Sequence, residues 1–395
     1  MQVFVDTNRF CEEASLDSQR LVNFLKKIGH NHTTDIKEAD IIIFYACGHL
    51  DWQEDDSVRI IKEIIRLKKP SSKFIVWGCL PRINPHSLRR IYDGPFVGPE
   101  DWTFFSDYFG KPREVLNNTY ANALNIHARL IDAGRSPQRR IYNFGHGWFY
   151  GARTKERETW YIKLESGCRN FCSYCSDRLA FGCVKSVPVE RVLEQFEVGL
   201  RKRYKYSYFV GRDLGSYGFD MRLTLADLLN EIAERYTNHD YKVYLTNFSP
   251  NSLIDIYHDI DHSFLSENTY ELGSNIQSGS DKILKLMGKA FPLCEWMTVM
   301  KDIDKNYAKI RTRTSIMVGF PGETDEDFQE SVNLVNTTLF DRIDVYAYAE
   351  RPNLPSLGLK GRIPEAIKRQ RYDRMRFLAA VNNFRKRVKR VRIFY

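Results

Sequence analysis

The chain has 395 residues, 43% hydrophobic and 13% aromatic, with eight cysteines and a formal net charge of +9, enough apolar surface for two or three domains with sizeable cores. Neither a basic segment leading into an apolar stretch at Met1-Gln2-Val3-Phe4-Val5-Asp6 nor any apolar run of bilayer-spanning length is found, which argues against a leader or membrane span and points to a cytoplasmic α/β protein without a membrane partner. Cysteines spread along such a chain fit metal ligation or redox work better than a disulfide framework, and the positive balance suits RNA, an acidic peptide or an anionic cofactor without choosing among them.

Residues 1–103 alternate strand and helix signals. Strands are expected over 3–6, 41–46 and 73–77, and helices over 16–28, ending at Gly29, and over 58–67. This is the pattern of a small doubly wound, flavodoxin-like domain with a parallel sheet, whose ligands gather beyond the carboxyl ends of the strands. Cys11, Cys47 and Cys79 each stand just past one of these three strands. At a common sheet edge they can converge, and they are candidate ligands of an iron–sulfur cluster with one iron left open.

From 104 to 158 the pattern weakens, and the segment reads as a linker or insertion. Its histidines His127 and His146 are read as loop residues rather than ligands or bases. A second α/β unit is expected over 159–350, with strands at 159–165, 206–212, 241–246, 269–276, 310–318 and 343–348. Helical patterns lie between them, at 189–200, 224–236, 280–287, 294–303 and 325–338. Repeated βα units close into a barrel or partial barrel with chemistry at the carboxyl ends of the strands.

Just past the first of these strands comes Glu165-Ser166-Gly167-Cys168-Arg169-Asn170-Phe171-Cys172-Ser173-Tyr174-Cys175. Three thiolates this close can hold three irons of a cubic cluster and leave the fourth open. Zinc or plain packing is the alternative for such cysteines, but zinc wants a fourth Cys or His at a near, fixed spacing, and no CxxC or HxxxH pair follows. Cys183 and Cys294 lie outside both triads, and Cys183, near the loop, is read as a buried small apolar residue rather than a functional one.

The CxxxCxxC spacing with Tyr174 before its last cysteine resembles the radical S-adenosylmethionine (SAM) superfamily, in which the open iron chelates SAM. Preceded by an α/β domain with three strand-end cysteines, it resembles the radical SAM methylthiotransferases in particular. Leu16-Asp17-Ser18 after Cys11, Gly48 after Cys47 and Gly78 before Cys79 agree with that family. Phe10 before the first cysteine, Tyr45-Ala46 before the second and Phe181-Gly182 after the loop depart from it, and the last removes a positive charge expected near the active face.

The resemblance implies a partial (β/α)6, TIM-like barrel and two 4Fe-4S clusters, one on Cys168, Cys172 and Cys175 and an auxiliary one on Cys11, Cys47 and Cys79. It implies replacement of an unactivated C–H by C–SCH3, with one SAM cleaved to a 5'-deoxyadenosyl radical and a second methylating a sulfur held at the auxiliary cluster. An external electron donor such as flavodoxin or ferredoxin and a sulfur source follow as partners. Strand-end motifs resemble the family's SAM-facing segments: Gly211-Arg212-Asp213-Leu214-Gly215-Ser216-Tyr217-Gly218, Gln277-Ser278-Gly279-Ser280-Asp281 and Val318-Gly319-Phe320-Pro321-Gly322-Glu323-Thr324. Tyr174, Gly211, Asp213, Gln277, Ser278, Gly319, Gly322 and Glu323 are the cofactor contacts this implies. Glycines there let backbone amides approach a ligand, although turn-and-cap chemistry alone explains each motif singly.

A C-terminal extension, 351–395, carries a long basic helix from Pro364, read equally as a solvated helix end or a grip for nucleic acid or acidic peptide. The family's tRNA and ribosomal enzymes usually continue into a small β domain, and none is expected here because the sequence stops at Tyr395. With the departures noted above, this favours a peptide or small-molecule substrate, such as a natural-product precursor peptide, over the C2 carbon of a tRNA adenosine. A non-catalytic iron–sulfur electron carrier is the reading from another class, and the glycine motifs speak against it because a carrier needs no adenosine pocket.

Overall fold

The computed structural model describes residues 1–7, 11–123, 158–289, 291–337 and 339–394. They fall into two compact units, one of Met1–Lys163, Ser176–Gly182 and Arg201–Tyr206, the other of Leu164–Cys175, Cys183–Leu200 and Ser207–Tyr395.

The first unit is built on a parallel five-stranded sheet of β1 (Gln2–Thr7), β2 (Asn31–Thr33), β3 (Ile41–Ala46), β4 (Lys73–Gly78) and β5 (Phe96–Val97), in the order β2-β1-β3-β4-β5. This is the flavodoxin-like order, whose switch point lies between β1 and β3. Every residue of β3 is buried, as expected of a parallel strand covered on both faces. Alternate residues part to the two sides. Ile41, Ile43 and Tyr45 pack with Leu21, Phe24 and Leu25 of the helix Glu12–Lys27, whereas Ile42, Phe44 and Ala46 pack with Ile60, Ile61 and Ile64 of the helix Asp51–Leu67.

The expected linker needs correction over its described part. Short helices occupy Trp102–Tyr108 and Arg113–Asn117, and Phe105 and Leu116 are buried in the first unit's core. Trp77 stacks edge-on against both Trp102 and Phe105, with centroids 4.9 and 5.0 Å apart, so aromatic packing holds helices too short to show a period in sequence. His127 and His146 lie outside the described residues. Phe181 is 3% exposed and belongs to the same core, where an arginine's charge would need a partner.

Strand β6 (Thr159–Lys163) is counted with the first unit; in the second, the sheet runs in chain order from β9 (Tyr206–Val210) through β10 (Lys242–Phe248), β11 (Thr269–Ser274) and β12 (Arg311–Val318) to β13 (Arg342–Ala347). A two-stranded antiparallel ribbon, β7 (Glu165–Ser166) with β8 (Lys185–Ser186), follows β6. Strands β10 to β13 pair in parallel and helices lie between them, which is the expected partial barrel of βα units. Among the described residues no helix is long and apolar enough to cross a membrane.

A helix over Glu365–Phe394 follows. Met375 and Ala379 are buried, and Asn382 donates a 2.8 Å hydrogen bond to the Phe340 carbonyl. Its inner cations are paired within the unit: Arg371 with Glu323 and Asp325, Lys386 with Asp304, and Arg390 with Asp341. The helix is therefore a packed element of the second unit, with other cations such as Arg369 and Arg385 exposed on its outer face.

One knot of charge is buried in the first unit. Lys163 Nζ lies 2.8 Å from Glu13, 3.1 Å from Asp17 and 3.7 Å from Glu100. Burial pushes the Asp17 carboxyl up to about 7, against the pull of Lys163 and with the help of Glu13 and Glu100. An unfolded aspartate ionises near ~3.9, so folding takes up a proton between these values; the stabilisation is complete below about pH 4 and lost as pH rises through about 7. In urea titrations the unfolding free energy of Asp17→Asn should fall less between about pH 4 and about pH 8 than that of the parent chain. Equal slopes would remove Asp17 from this account.

Candidate metal centres

The loop after β7 brings Cys168, Cys172 and Cys175 together on a few residues of backbone, and what holds it is largely one side chain, Asp213. That carboxylate is 1% exposed. Its Oδ2 accepts from the hydroxyls of Ser216 (2.7 Å), Ser249 (2.8 Å) and Ser252 (2.8 Å) and from Asn170 Nδ2 (2.8 Å), while Oδ1 accepts from the Ser249 amide at 2.9 Å. The Asp213 amide in turn donates to Glu165 Oε1 at 2.9 Å. Gly211 is required here for space, since a Cβ on it would stand 2.3 Å from that oxygen.

The sulfur of Cys168 receives the Asn170 amide at 3.3 Å and its Nδ2 at 3.4 Å. Burial, with the Asp213 carboxylate behind it, pushes the Cys168 thiol up to about 12. Iron binding is what removes such a proton. The far side of the loop is pinned by Ser173, whose amide donates to the Met287 carbonyl and whose hydroxyl donates to the Leu286 carbonyl, both at 2.9 Å. Tyr174 packs against the apolar cluster of Ile283, Met287, Phe320 and Tyr348.

The other expected cofactor contacts lie at strand ends of the same unit but differ in character. Ser278 is fully buried and accepts from the Ser280 amide at 3.1 Å, so its hydroxyl serves the turn. Gln277 adopts φ +79, a left-handed backbone that costs a side-chain-bearing residue energy. Its Nε2 donates to Ser315 at 2.9 Å, and its Oε1 is buried with no partner among the described residues. Glu323 is buried, accepts from the Gly319 amide at 2.8 Å and from Arg371 at 2.6 Å, and so ties the turn holding Gly319 and Gly322 to the C-terminal helix. Sequence reasoning gave no role to Glu165, Asn170, Ser249 or Ser252. Only the first two lay in a motif it singled out; the serines follow a strand with no glycine signature to mark them.

In the first unit Cys11, Cys47 and Cys79 follow β1, β3 and β4, the three central neighbours of the sheet. Cys11 occupies the N-cap of the helix Glu12–Lys27, where the helix dipole favours a thiolate. The Cys47 amide donates to Ser57 Oγ at 3.0 Å and its sulfur meets Gln53 Oε1 at 3.5 Å. Cys79 is 5% exposed, with the Tyr45 hydroxyl 3.7 Å from its sulfur.

None of the eight cysteines is in a disulfide. Cys183 is exposed, which corrects the expectation that it is buried, and Cys294 is exposed as well. Among the described residues no three His, Cys, Asp or Glu side chains converge tightly enough to hold one metal ion. A cubic iron–sulfur cluster spreads its protein ligands over separate irons, and a donor set of three sulfurs outside any disulfide on each of two strand-end edges fits it.

Comparison with known proteins agrees. Residues 162–335 match the model of the radical SAM superfamily, and residues 6–95 match that of the uncharacterized protein family UPF0004. The chain is 30% identical over 369 residues, 92% of its length and 78% of the relative's, to the threonylcarbamoyladenosine tRNA methylthiotransferase MtaB of Thermotoga maritima. The chain belongs to the radical SAM methylthiotransferases. It is also 27% identical, over 92% of its length and 79% of the relative's, to the ribosomal protein uS12 methylthiotransferase RimO of Thermosipho africanus. Among solved structures, the radical SAM methyltransferase TsrM of Kitasatospora setae matches with a TM-score of 0.59 at 12% identity, covering 90% of this chain and 76% of that one, a likeness of fold. This methylthiotransferase is thus an enzyme whose family chemistry uses SAM and 4Fe-4S clusters.

The Asp213 network makes a prediction independent of any cluster. Asp213→Ala leaves three hydroxyls and the Asn170 amide without their acceptor, and should cost about 3 kcal/mol or more in urea denaturation. Asp213→Asn, which keeps one acceptor oxygen and the shape, should cost clearly less. Equal losses for the two would deny the carboxylate its organising part.

Proposed function

We propose that Cys168, Cys172 and Cys175 hold the SAM-binding 4Fe-4S cluster, that Cys11, Cys47 and Cys79 hold an auxiliary one, and that the enzyme replaces C–H by C–SCH3 on a polypeptide. The observation that carries the assignment is the pair of cysteine triads, each free of disulfides, one in the loop after β7 and the other past the carboxyl ends of the parallel strands β1, β3 and β4. When bound, the clusters and SAM supply the electron, the hydrogen-abstracting radical, the sulfur and the methyl group. An external one-electron donor such as flavodoxin or ferredoxin and a source of sulfur complete the set.

The chain's own work is placement and shielding. Asp213, through Asn170 and the serines, fixes the Cys168 sulfur before any iron arrives, so the ligand is preorganised. Tyr174 and Phe320, with ring centroids 6.3 Å apart, put an apolar wall beside the loop, which excludes water from a reactive site. Gln277, with its costly backbone and its free buried oxygen, is the best-supported polar contact for SAM among the residues named in sequence. Ser278 and Glu323, whose polar atoms serve the turns, are assigned instead to shaping the pocket.

A polypeptide substrate is supported by how the C-terminal cations are used. Arg371, Lys386 and Arg390 are paired inside the unit, which leaves fewer charges for a phosphate backbone than the basic sequence suggests. A tRNA adenosine is the second reading, favoured by the name of the Thermotoga relative.

The clusters and the substrate are tested separately. Anaerobically reconstituted enzyme should bind about eight irons, and the triple Cys→Ala variant at 168, 172 and 175 about four. Cys47→Ala should still cleave SAM to 5'-deoxyadenosine while transferring no sulfur; methylthio product from it would refute the auxiliary assignment. For the substrate, cells carrying the gene should contain a peptide heavier by one CH2S that cells lacking it do not. Methylthioadenosine formed in bulk tRNA by the purified enzyme, with affinity falling steeply as salt rises, would overturn the peptide reading and leave the chemistry standing.

A further inference from the structure

Tyr45 is a large polar side chain in an unusual place. It lies in β3, two residues before Cys47, and is 1% exposed. Its ring stands edge-on against Trp77 with centroids 4.9 Å apart, and it crosses the backbone of Gly78, which has φ +113. A Cβ on Gly78 would come within 2.7 Å of the ring, so the glycine both permits the local backbone and makes room for the tyrosine. Held in this way, the ring has little freedom, and its hydroxyl stands 3.7 Å from Cys79 Sγ, the one hydrogen-bond partner it has among the described residues.

The chemistry of that contact is one-directional once Cys79 is a ligand. A metal-bound thiolate has no proton to give, and a phenol that ionises near ~10 keeps its own, so the O–H must donate to sulfur. Hydrogen bonds to ligand sulfurs stabilise the more negative, reduced cluster and raise its potential. We infer that Tyr45 is a positioning residue that orients Cys79 and raises the reduction potential of the auxiliary cluster by hydrogen-bonding its thiolate. The inference rests on the proposed ligation by Cys79.

The test uses the full chain with Cys168, Cys172 and Cys175 changed to Ala, so that only the auxiliary cluster is present. Tyr45→Phe in that background keeps the ring and removes only the hydroxyl. It should retain about four irons and show a more negative midpoint in a dithionite titration followed by electron paramagnetic resonance. At a fixed poise the ratio of reduced to oxidised cluster should fall about tenfold, a shift of about 59 mV for a one-electron couple. Full iron with an unchanged midpoint would overturn the inference. So would loss of iron, which would make Tyr45 an assembly residue. Cys79→Ala in the same background keeps the two failures apart: if it leaves the iron content untouched, the ligand assignment is wrong whatever Tyr45 does.

Discussion

A carboxylate buried beside a cysteine sulfur is an expensive thing to build, and the catalytic unit is arranged around making it tolerable. Asp213 Oδ2 stands 3.9 Å from Cys168 Sγ, where two negative groups would repel one another once the thiol is ionised. The hydroxyls of Ser216, Ser249 and Ser252, the Asn170 amide and the Ser249 backbone offset this by charge-assisted hydrogen bonds. Those donors come from the loops after β7, β9 and β10. Satisfying one acceptor therefore locks three strand ends together, and the cysteine loop inherits their rigidity. Arg169 adds a clasp by pairing with Asp255 on the next helix.

In the first unit the same task is met differently. No carboxylate hub is needed, because the parallel sheet itself sets three sulfurs on neighbouring strands around a switch point, where backbone diverges and leaves room. Each sulfur then has its own local partner: a helix N-terminus for Cys11, the side chains of Ser57 and Gln53 around Cys47, and a phenol for Cys79. The cysteines of one triad share a loop and are positioned collectively; those of the other follow separate strands, each with its own surroundings.

The legible part of the sequence was what depends on period and spacing. A run such as Ile41–Ala46, buried on both faces, leaves no polar alternation and is bounded by turn residues, so its limits could be read directly. Spacing set Cys168, Cys172 and Cys175 on one loop, and position just past β1, β3 and β4 set Cys11, Cys47 and Cys79 on one sheet edge. What stayed hidden was set by partners distant in sequence. Glu323 stands in a motif that sequence marks, but its partner Arg371 is 48 positions away. Phe181 is packed in the core with Trp77 and Phe105, which no local pattern announces. Cys183 was judged by the usual burial of cysteine and proved exposed, since a lone residue carries no pattern.

Net charge is the clearest case of a sum that does not describe a surface. The helix Glu365–Phe394 supplies much of the basic count, yet Arg371 is held at 8% side-chain exposure between Glu323 and Asp325, and Lys386 at 3% against Asp304. Such buried pairs contribute little net stability against well-packed apolar residues, but removing either partner strands a charge, so they fix the register of the helix against the sheet. Arg390 does the same at the other end, pairing with Asp341 and donating to the carbonyls of Ala308 and Ile310. These three cations tie the helix to the turn of Gly319 and Gly322 through Glu323 at one end and to Asp304 and Asp341 at the other, so its inward face is set by partners that no local pattern in the sequence marks.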